Sequence, residues 1–237
     1  MALFYQSARR EPFLRAPPVV LLLIALLILI EAALQFLPPA VSGALLVEYG
    51  FTPARYSQAF LSTHHLDGGG TFEKAFDFVS YTFLHGSWPH VLINCVWLLA
   101  FGSVVARRFG PLLFLLFFVI CGVAGAAAHL ALNWGSIAPV IGASAAVSGL
   151  MAAAFRMMAV PPHGPLEPLF SRRILVWSAI WVAMNVAAGL TGLGAGPGVQ
   201  LIAWQAHLGG YFAGLLLAGP FDALRQIPRE SVRRTAP

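Results

Sequence analysis

A serine, two histidines and an asparagine in this 237-residue sequence have the types and spacing for acyl-transfer chemistry. Ser144 lies in Gly142-Ala-Ser-Ala145, at the head of an apolar, helix-like stretch that continues to Val160. A serine at a helix N-terminus lies beside unpaired backbone N–H groups and the positive end of the helix dipole, which stabilise an oxyanion. Serine is also a favoured helix cap, so this position alone leaves a purely structural role open.

His207 gives the serine a specific chemistry. It would take the hydroxyl proton, and Ser144 would attack a carbonyl carbon. The predicted helix of Ser144 carries Ala145 and Gly149, and the predicted helix of His207 carries Gly210 and Gly214. Each is a pair of small residues one helical turn apart. Such pairs let helix backbones approach closely in lipid. We therefore expect the two helices to bring His207 to Ser144.

His90 and Asn94 are four residues apart and share a helix face. With the Ser144 backbone N–H, they would donate hydrogen bonds to the developing oxyanion. Packing roles remain open, because a histidine or asparagine in a membrane helix also serves as an interhelical hydrogen-bonding group. We find no acidic residue at this depth in the spans, and a neutral imidazole is cheap enough to bury for a two-residue dyad.

Composition places these residues in a membrane. The chain is 59% hydrophobic and 10% charged, whereas soluble domains carry about 25% charged residues. The sequence predicts an all-α polytopic membrane protein. Cys95 and Cys121 both lie in apolar stretches, so we expect no disulfide. The net charge of +5 is better explained by basic flanks of membrane spans than by nucleic-acid binding.

Apolar stretches long enough to cross a bilayer predict six spans. They lie at approximately 19–37, 90–105, 111–132, 145–160, 174–190 and 203–219. Residues 1–18 would form a short cytoplasmic segment, 19–219 the membrane domain and 220–237 a basic cytoplasmic tail. The first span is longer than a signal-peptide core and is interrupted by Glu31. Glu31 is a candidate functional carboxylate, and the packing or near-interface role is favoured.

The distribution of basic residues predicts the orientation. With the N-terminus in the cytoplasm, only Arg55 and Lys74 fall outside. Twelve arginines fall inside: Arg9, Arg10, Arg15, Arg107, Arg108, Arg156, Arg172, Arg173, Arg225, Arg229, Arg233 and Arg234. This asymmetry follows the positive-inside rule and places both termini in the cytoplasm. We expect a multi-pass protein of the plasma (inner) membrane.

Helix rise places the reactive residues at one depth. Asn94 lies thirteen residues before Arg107, and His207 lies thirteen before Pro220, which puts both roughly 20 Å above the inner edge. Ser144 falls at about the same level. The segment 133–142 leads directly into Ser144 and is too short and too rich in Gly and Pro to be helical, so we expect it to dip inward from outside. The long connection 38–88 is expected to lie partly in the membrane surface.

The motifs resemble those of rhomboid intramembrane serine proteases. The resemblance runs from about Tyr81 to Gly219 and includes His-x-x-x-Asn94 at the second span, Gly142-Ala-Ser-Ala145, and the glycine-rich last span with His207. It implies a six-helix bundle with Ser144 as nucleophile, His207 as general base, and His90 and Asn94 as oxyanion donors. It also implies a structural role for His85.

The resemblance further implies hydrolysis of peptide bonds in or beside transmembrane segments of other proteins, without a metal or cofactor. Substrate would arrive sideways, between the second and fifth spans. Two positions depart from the family pattern: Ala145 replaces a glycine, and Ser148 replaces an aromatic residue that would pack on the histidine.

Two other hypotheses remain open at the level of sequence. One is a rhomboid-like protein with little or no catalytic activity that binds transmembrane helices, against which the presence of both Ser144 and His207 argues. The other is a transporter or proton channel, which would need more ionisable residues along the spans than are present.

Overall fold

The structure is a computed structural model that describes residues 16–161, 164–192 and 203–225, and its fold within these ranges is all-α. The helices are α1 (Pro18–Phe36), α2 (Pro39–Tyr49), α3 (Gln58–His64), α4 (Thr71–Ser80), α5 (Trp88–Trp97), α6 (Ser103–Phe109), α7 (Pro111–Leu132), α8 (Ser144–Met157), α9 (Arg172–Thr191) and α10 (Trp204–Arg225). Most of the predicted cytoplasmic N-terminal segment and basic tail lies outside the described residues.

Several of these helices are long and apolar enough to cross a bilayer, which makes the chain a polytopic membrane protein. By length and composition they are α1, α7, α9 and the continuous stretch Trp88–Phe109, in which the π-helical turn Leu98–Gly102 joins α5 to α6. The helix α8 is apolar but has only 14 residues. One helix overlaps each predicted span, and the count of six crossings stays a prediction.

The centre of the bundle is α8, which packs between α7 and α10. Twelve of its 14 residues are buried. Gly210 of α10 lies against the Ala145 backbone, and Gly214 lies against that of Gly149, so closely that a Cβ atom at either glycine would clash. The predicted close approach of these two helices is thereby confirmed, and its physical basis is the absence of side chains at the seam.

An ion pair fixes the ends of α6 and α10 that are predicted to be cytoplasmic. The Arg108 guanidinium donates to both carboxylate oxygens of Asp222, at 2.7 and 2.8 Å, and to the Gly164 carbonyl at 2.6 Å. Such two-point geometry is the strongest form of arginine–carboxylate contact. The helix α10 continues through Pro220 to Arg225, six residues beyond the predicted end of the last span at 219.

The long connection after α1 is ordered by local helices and by one arginine. Arg55 donates to the Glu48 carbonyl at 2.7 Å and pairs with Asp77 of α4 at 3.1 Å. Phe51 pairs with Tyr56 and Phe78 through ring contacts of 5.3 and 4.8 Å. These contacts give the connection a small core of its own, for which we use the name loop one (38–87).

Glu31 lies on the buried stripe of α1, fully shielded from the exterior. Its Oε1 accepts a hydrogen bond from the Gln35 side chain at 2.7 Å, one helical turn away. This contact within a single helix agrees with the packing role that the sequence favoured.

Candidate active site

Ser144 is the first residue of α8, and the backbone before it is shaped by a glycine. Gly142 has φ = 113°, a conformation that side chains strongly disfavour. Its N–H donates to the Tyr81 carbonyl at 2.9 Å. The ring of His90 lies so close to Gly142 that a Cβ there would meet it at 2.7 Å. Glycine therefore satisfies two requirements at once, the turn into α8 and the space for His90.

The structure brings Ser144 and His207 together. The Oγ of Ser144 lies 2.7 Å from Nε2 of His207, which sits in the first turn of α10. Both side chains are half-buried. This is the distance and pairing of a nucleophile with a general base.

The sequence prediction missed a third residue of the site, Asn185. Its Oδ1 lies 2.8 Å from Nδ1 of His207, on the side of the imidazole ring opposite Ser144. Asn185 belongs to α9 and is 6% exposed. A dyad was predicted because no acidic residue of the spans lies at this depth. A signal was present, because Asn185 lies thirteen residues after Arg172, which puts it at the same depth of roughly 20 Å as His207.

His90 and Asn94 lie on α5, beside the segment that leads into Ser144. The rings of His90 and His85 are 4.9 Å apart and nearly perpendicular. Asn94 is buried, and its amide donates to the His90 carbonyl at 2.9 Å. That bond holds the two predicted oxyanion donors in a fixed relation on one face of α5.

His85 supports the backbone just before Ser144. Its Nε2 accepts a hydrogen bond from the Ala143 N–H at 3.4 Å. Burial, reinforced by the neighbouring His90, lowers the pKa of His85 to about 3. The neutral ring is therefore available as an acceptor at physiological pH.

The segment before α8 is irregular, as predicted, and its backbone groups are paired with loop one. Phe51 and Val140 exchange two backbone hydrogen bonds of 2.9 and 2.8 Å, and the Ala54 N–H donates to the Ser136 carbonyl at 2.9 Å. Loop one thus supplies hydrogen-bond partners for backbone groups of a stretch that is not helical and cannot pair them within a helix.

The two departures from the family pattern have local explanations. The methyl group of Ala145 is accommodated because Gly125 of α7 lacks a side chain beside it. The Ser148 hydroxyl donates to the Ser144 carbonyl at 2.7 Å and is buried. The position of Ser148 therefore offers no ring to the base, and Asn185 contacts the imidazole instead. Within the described ranges, no cluster of three or more metal-ligating side chains is present.

The chain is also similar in sequence to known proteins. Residues 73–221 match the family described as Rhomboid domain. One relative is the chloroplastic rhomboid-like protein 11 of Arabidopsis thaliana, which is 30% identical over 149 residues. The match covers 62% of this chain and 52% of the relative, so it spans about half of that protein's length.

Proposed function

Because the chain belongs to the rhomboid family, we propose that it is a serine endopeptidase that hydrolyses peptide bonds in or next to the transmembrane segments of other membrane proteins. The observation that carries this proposal is the 2.7 Å contact between Ser144 Oγ and His207 Nε2 at the N-terminus of α8.

The proposed reaction proceeds through an acyl-enzyme. Nε2 of His207 takes the hydroxyl proton as Oγ of Ser144 bonds to the scissile carbonyl carbon. The oxyanion is stabilised by the Ser144 backbone N–H, His90 and Asn94. His207 then gives the proton to the leaving amine as the C–N bond breaks. Water, deprotonated by the same imidazole, releases the new carboxylate and restores Ser144.

The length of α8 supports a reaction below the membrane surface. Its 14 residues span about 21 Å, whereas the hydrocarbon core is about 30 Å thick. Arg156 lies at the end of α8 opposite Ser144, where the charge pattern indicates the cytoplasmic edge. With that end at the edge, Ser144 lies within the outer half of the membrane.

The substrate in this proposal is a transmembrane helix that arrives laterally between α5 and α9. Both helices present large apolar side chains on the outer surface of the bundle, including Ile93 and Val96 on α5 and Val176 and Met184 on α9. Such a surface suits lipid or an apolar helix and gives no support for nucleic-acid binding. We further propose the plasma (inner) membrane as the location, with both termini cytoplasmic.

The test is cleavage of a single-span reporter by the purified protein in liposomes. We expect wild-type protein to cleave, and Ser144→Ala and His207→Ala each to lose at least about 10³-fold in rate. Ser42→Ala is the matched control, because Ser42 lies on the exposed α2, and it should cleave at the wild-type rate. Cleavage that persists in Ser144→Ala would overturn the proposal. Reporter binding without cleavage by wild-type protein would instead support a helix-binding rhomboid-like protein.

A further inference from the structure

The polar contact between Asn185 and His207 involves one of the few buried residues of α9. Of the 20 residues of α9, only Ile174 and Asn185 are buried. Burying a carboxamide is unfavourable unless its polar atoms are hydrogen-bonded. Both ends of the Asn185 amide are bonded, one to its own helix and the other to the base.

The hydrogen bonds determine which way the amide points. The Trp181 carbonyl lies 2.9 Å from the Asn185 side-chain nitrogen, and a backbone carbonyl can only accept. The NH₂ group must therefore face Trp181, which leaves the oxygen Oδ1 facing His207 at 2.8 Å. Since that oxygen can only accept, Nδ1 of His207 must carry the proton.

The tautomer decides whether His207 can act as a base. With the proton on Nδ1, the lone pair of Nε2 faces the Ser144 hydroxyl at 2.7 Å and can accept its proton. With the proton on Nε2, the ring would have no acceptor on that side. We propose that Asn185 is a positioning residue whose side-chain oxygen holds His207 in the Nδ1–H tautomer and in the ring orientation that faces Ser144. The proposed role in catalysis rests on the proteolytic function above.

The contact of α9 with α10 places this oxygen accurately. Four residues along one stripe of α9 meet α10: Ser178 bonds to the Tyr211 hydroxyl at 2.8 Å, Trp181 stacks on Tyr211 at 6.2 Å, Asn185 meets His207, and Gly189 lies against Trp204. Asn185 therefore lies inside a continuous seam, and the flanking contacts of Trp181 and Gly189 fix its distance from the imidazole.

The first test does not depend on activity. Nitrogen-15 NMR of histidine-labelled protein, with the His207 signals identified by their loss in His207→Ala, reports which ring nitrogen is protonated. We expect Nδ1–H in wild-type protein and a substantial rise of the Nε2–H form in Asn185→Leu, which has similar volume but no acceptor. An Nε2–H tautomer in wild-type protein, or an unchanged tautomer in Asn185→Leu, would overturn the proposal even if the protein proved to have no protease activity.

The second test measures the rate at which a fluorophosphonate labels Ser144, together with kcat and KM for the reporter. Asn185→Leu should lower the labelling rate and kcat by about 10- to 100-fold, with KM nearly unchanged, because general-base catalysis is worth about 10²–10⁴. The matched control is Ser178→Ala, which removes a second hydrogen bond between α9 and α10 and should stay within about twofold of wild type. Equal losses in both variants would indicate helix packing and contradict the proposal.

Asn185→Asp provides rescue and a distinct signature. It keeps an acceptor toward His207 and should restore labelling at alkaline pH, while the acid limb of its pH–rate profile moves to higher pH because a carboxylate favours the imidazolium. Among the described residues, the titratable side chain of His90 on α5 also influences His207, and it is the same in every variant. A pH–rate profile of Asn185→Asp that superimposes on that of wild-type protein would contradict a direct contact of this side chain with His207. If wild-type protein showed no labelling that depends on Ser144, the proposed function would fail, and the NMR result would still decide the tautomer.

Discussion

The helices α8 and α9 supply neighbouring parts of the same site and are packed in opposite ways. In α8, 12 of 14 residues are buried, and its seam with α10 consists of small residues in backbone contact. In α9, two of 20 residues are buried, and large side chains cover its outer surface. The proposed nucleophile, Ser144, thus belongs to the buried centre of the bundle, whereas the oxygen that contacts His207 is carried by a helix at its edge.

This difference shows what each part of the site requires. A serine at a helix N-terminus needs its backbone held still, because the N–H that stabilises the oxyanion is part of the helix itself. In the proposed reaction, α9 must hold one oxygen in place beside His207 while it leaves room for a substrate helix beside α5. Tight packing suits the first requirement, and a single seam along one face suits the second.

The largest expected effect on stability is at the buried ion pair between α6 and α10. Asp222→Ala removes the carboxylate from the guanidinium of Arg108, which is 7% exposed. Removing one partner of a buried ion pair costs about 3–5 kcal/mol, so the free energy of unfolding in detergent should fall by that amount. Arg225→Ala is the control, since its side chain is 21% exposed at 3.4 Å from Asp222, and it should cost less than about 1 kcal/mol. If Arg225→Ala cost as much as Asp222→Ala, Arg225 would lie in an environment as buried as that of Arg108, which would contradict the structure.

A matched pair of substitutions tests the contrast between the two helices directly. Ala153 of α8 is fully buried, and Ala183 of α9 is exposed. Ala153→Leu should lower the free energy of unfolding by about 1–3 kcal/mol because it overpacks a filled core. Ala183→Leu should change it by less than about 0.5 kcal/mol. The free energy of unfolding of both variants is measured by the same detergent unfolding assay. Similar losses would mean that α8 and α9 are not packed differently.

The pH dependence of stability tests whether loop one is packed as firmly as the buried centre of the bundle. Burial raises the pKa of Asp77 from its ordinary value of 3.8 to about 6, opposed by the nearby Arg55. The folded protein then holds this proton more tightly than the unfolded chain, so the free energy of unfolding should fall as pH rises from 3.8 to about 6 and level off above.

Asp77→Asn should remove this fall, whereas Asp67→Asn, at an exposed position of the same loop, should leave it in place. Thermal unfolding across this pH range provides the measurement. A wild-type profile that is flat, or that rises with pH, would mean that Asp77 is not buried as described and that loop one is loosely attached.

Much of the fold was readable from the sequence because local signals mark it. The bounds of α7 agree with the predicted span 111–132, since Gly110-Pro111 begins the helix and Asn133 follows its last residue. The approach of α8 and α10 followed from paired small residues. The end of α10 was harder to place, because Pro220 resembles a helix stop, yet the ion pair of Asp222 with Arg108 lies in the turn beyond it.

What the sequence did not reveal depends on contacts between distant segments. The helices of loop one are joined through Arg55, whose partners Glu48 and Asp77 lie 7 and 22 residues away. Asn185 and His207 are 22 residues apart on different helices. A two-residue dyad was predicted because no carboxylate lies at this depth. An uncharged amide is, however, the group that a membrane helix can bury at lower cost.

The central claim is that the Ser144 hydroxyl is activated by His207, and adduct mapping tests it most directly. Wild-type protein in liposomes is treated with a fluorophosphonate and analysed by mass spectrometry of its peptides. In wild-type protein we expect one adduct, on Ser144. In His207→Ala, this adduct should form at least about 100-fold more slowly. An adduct on another serine, or labelling of Ser144 at the same rate without the imidazole, would contradict it.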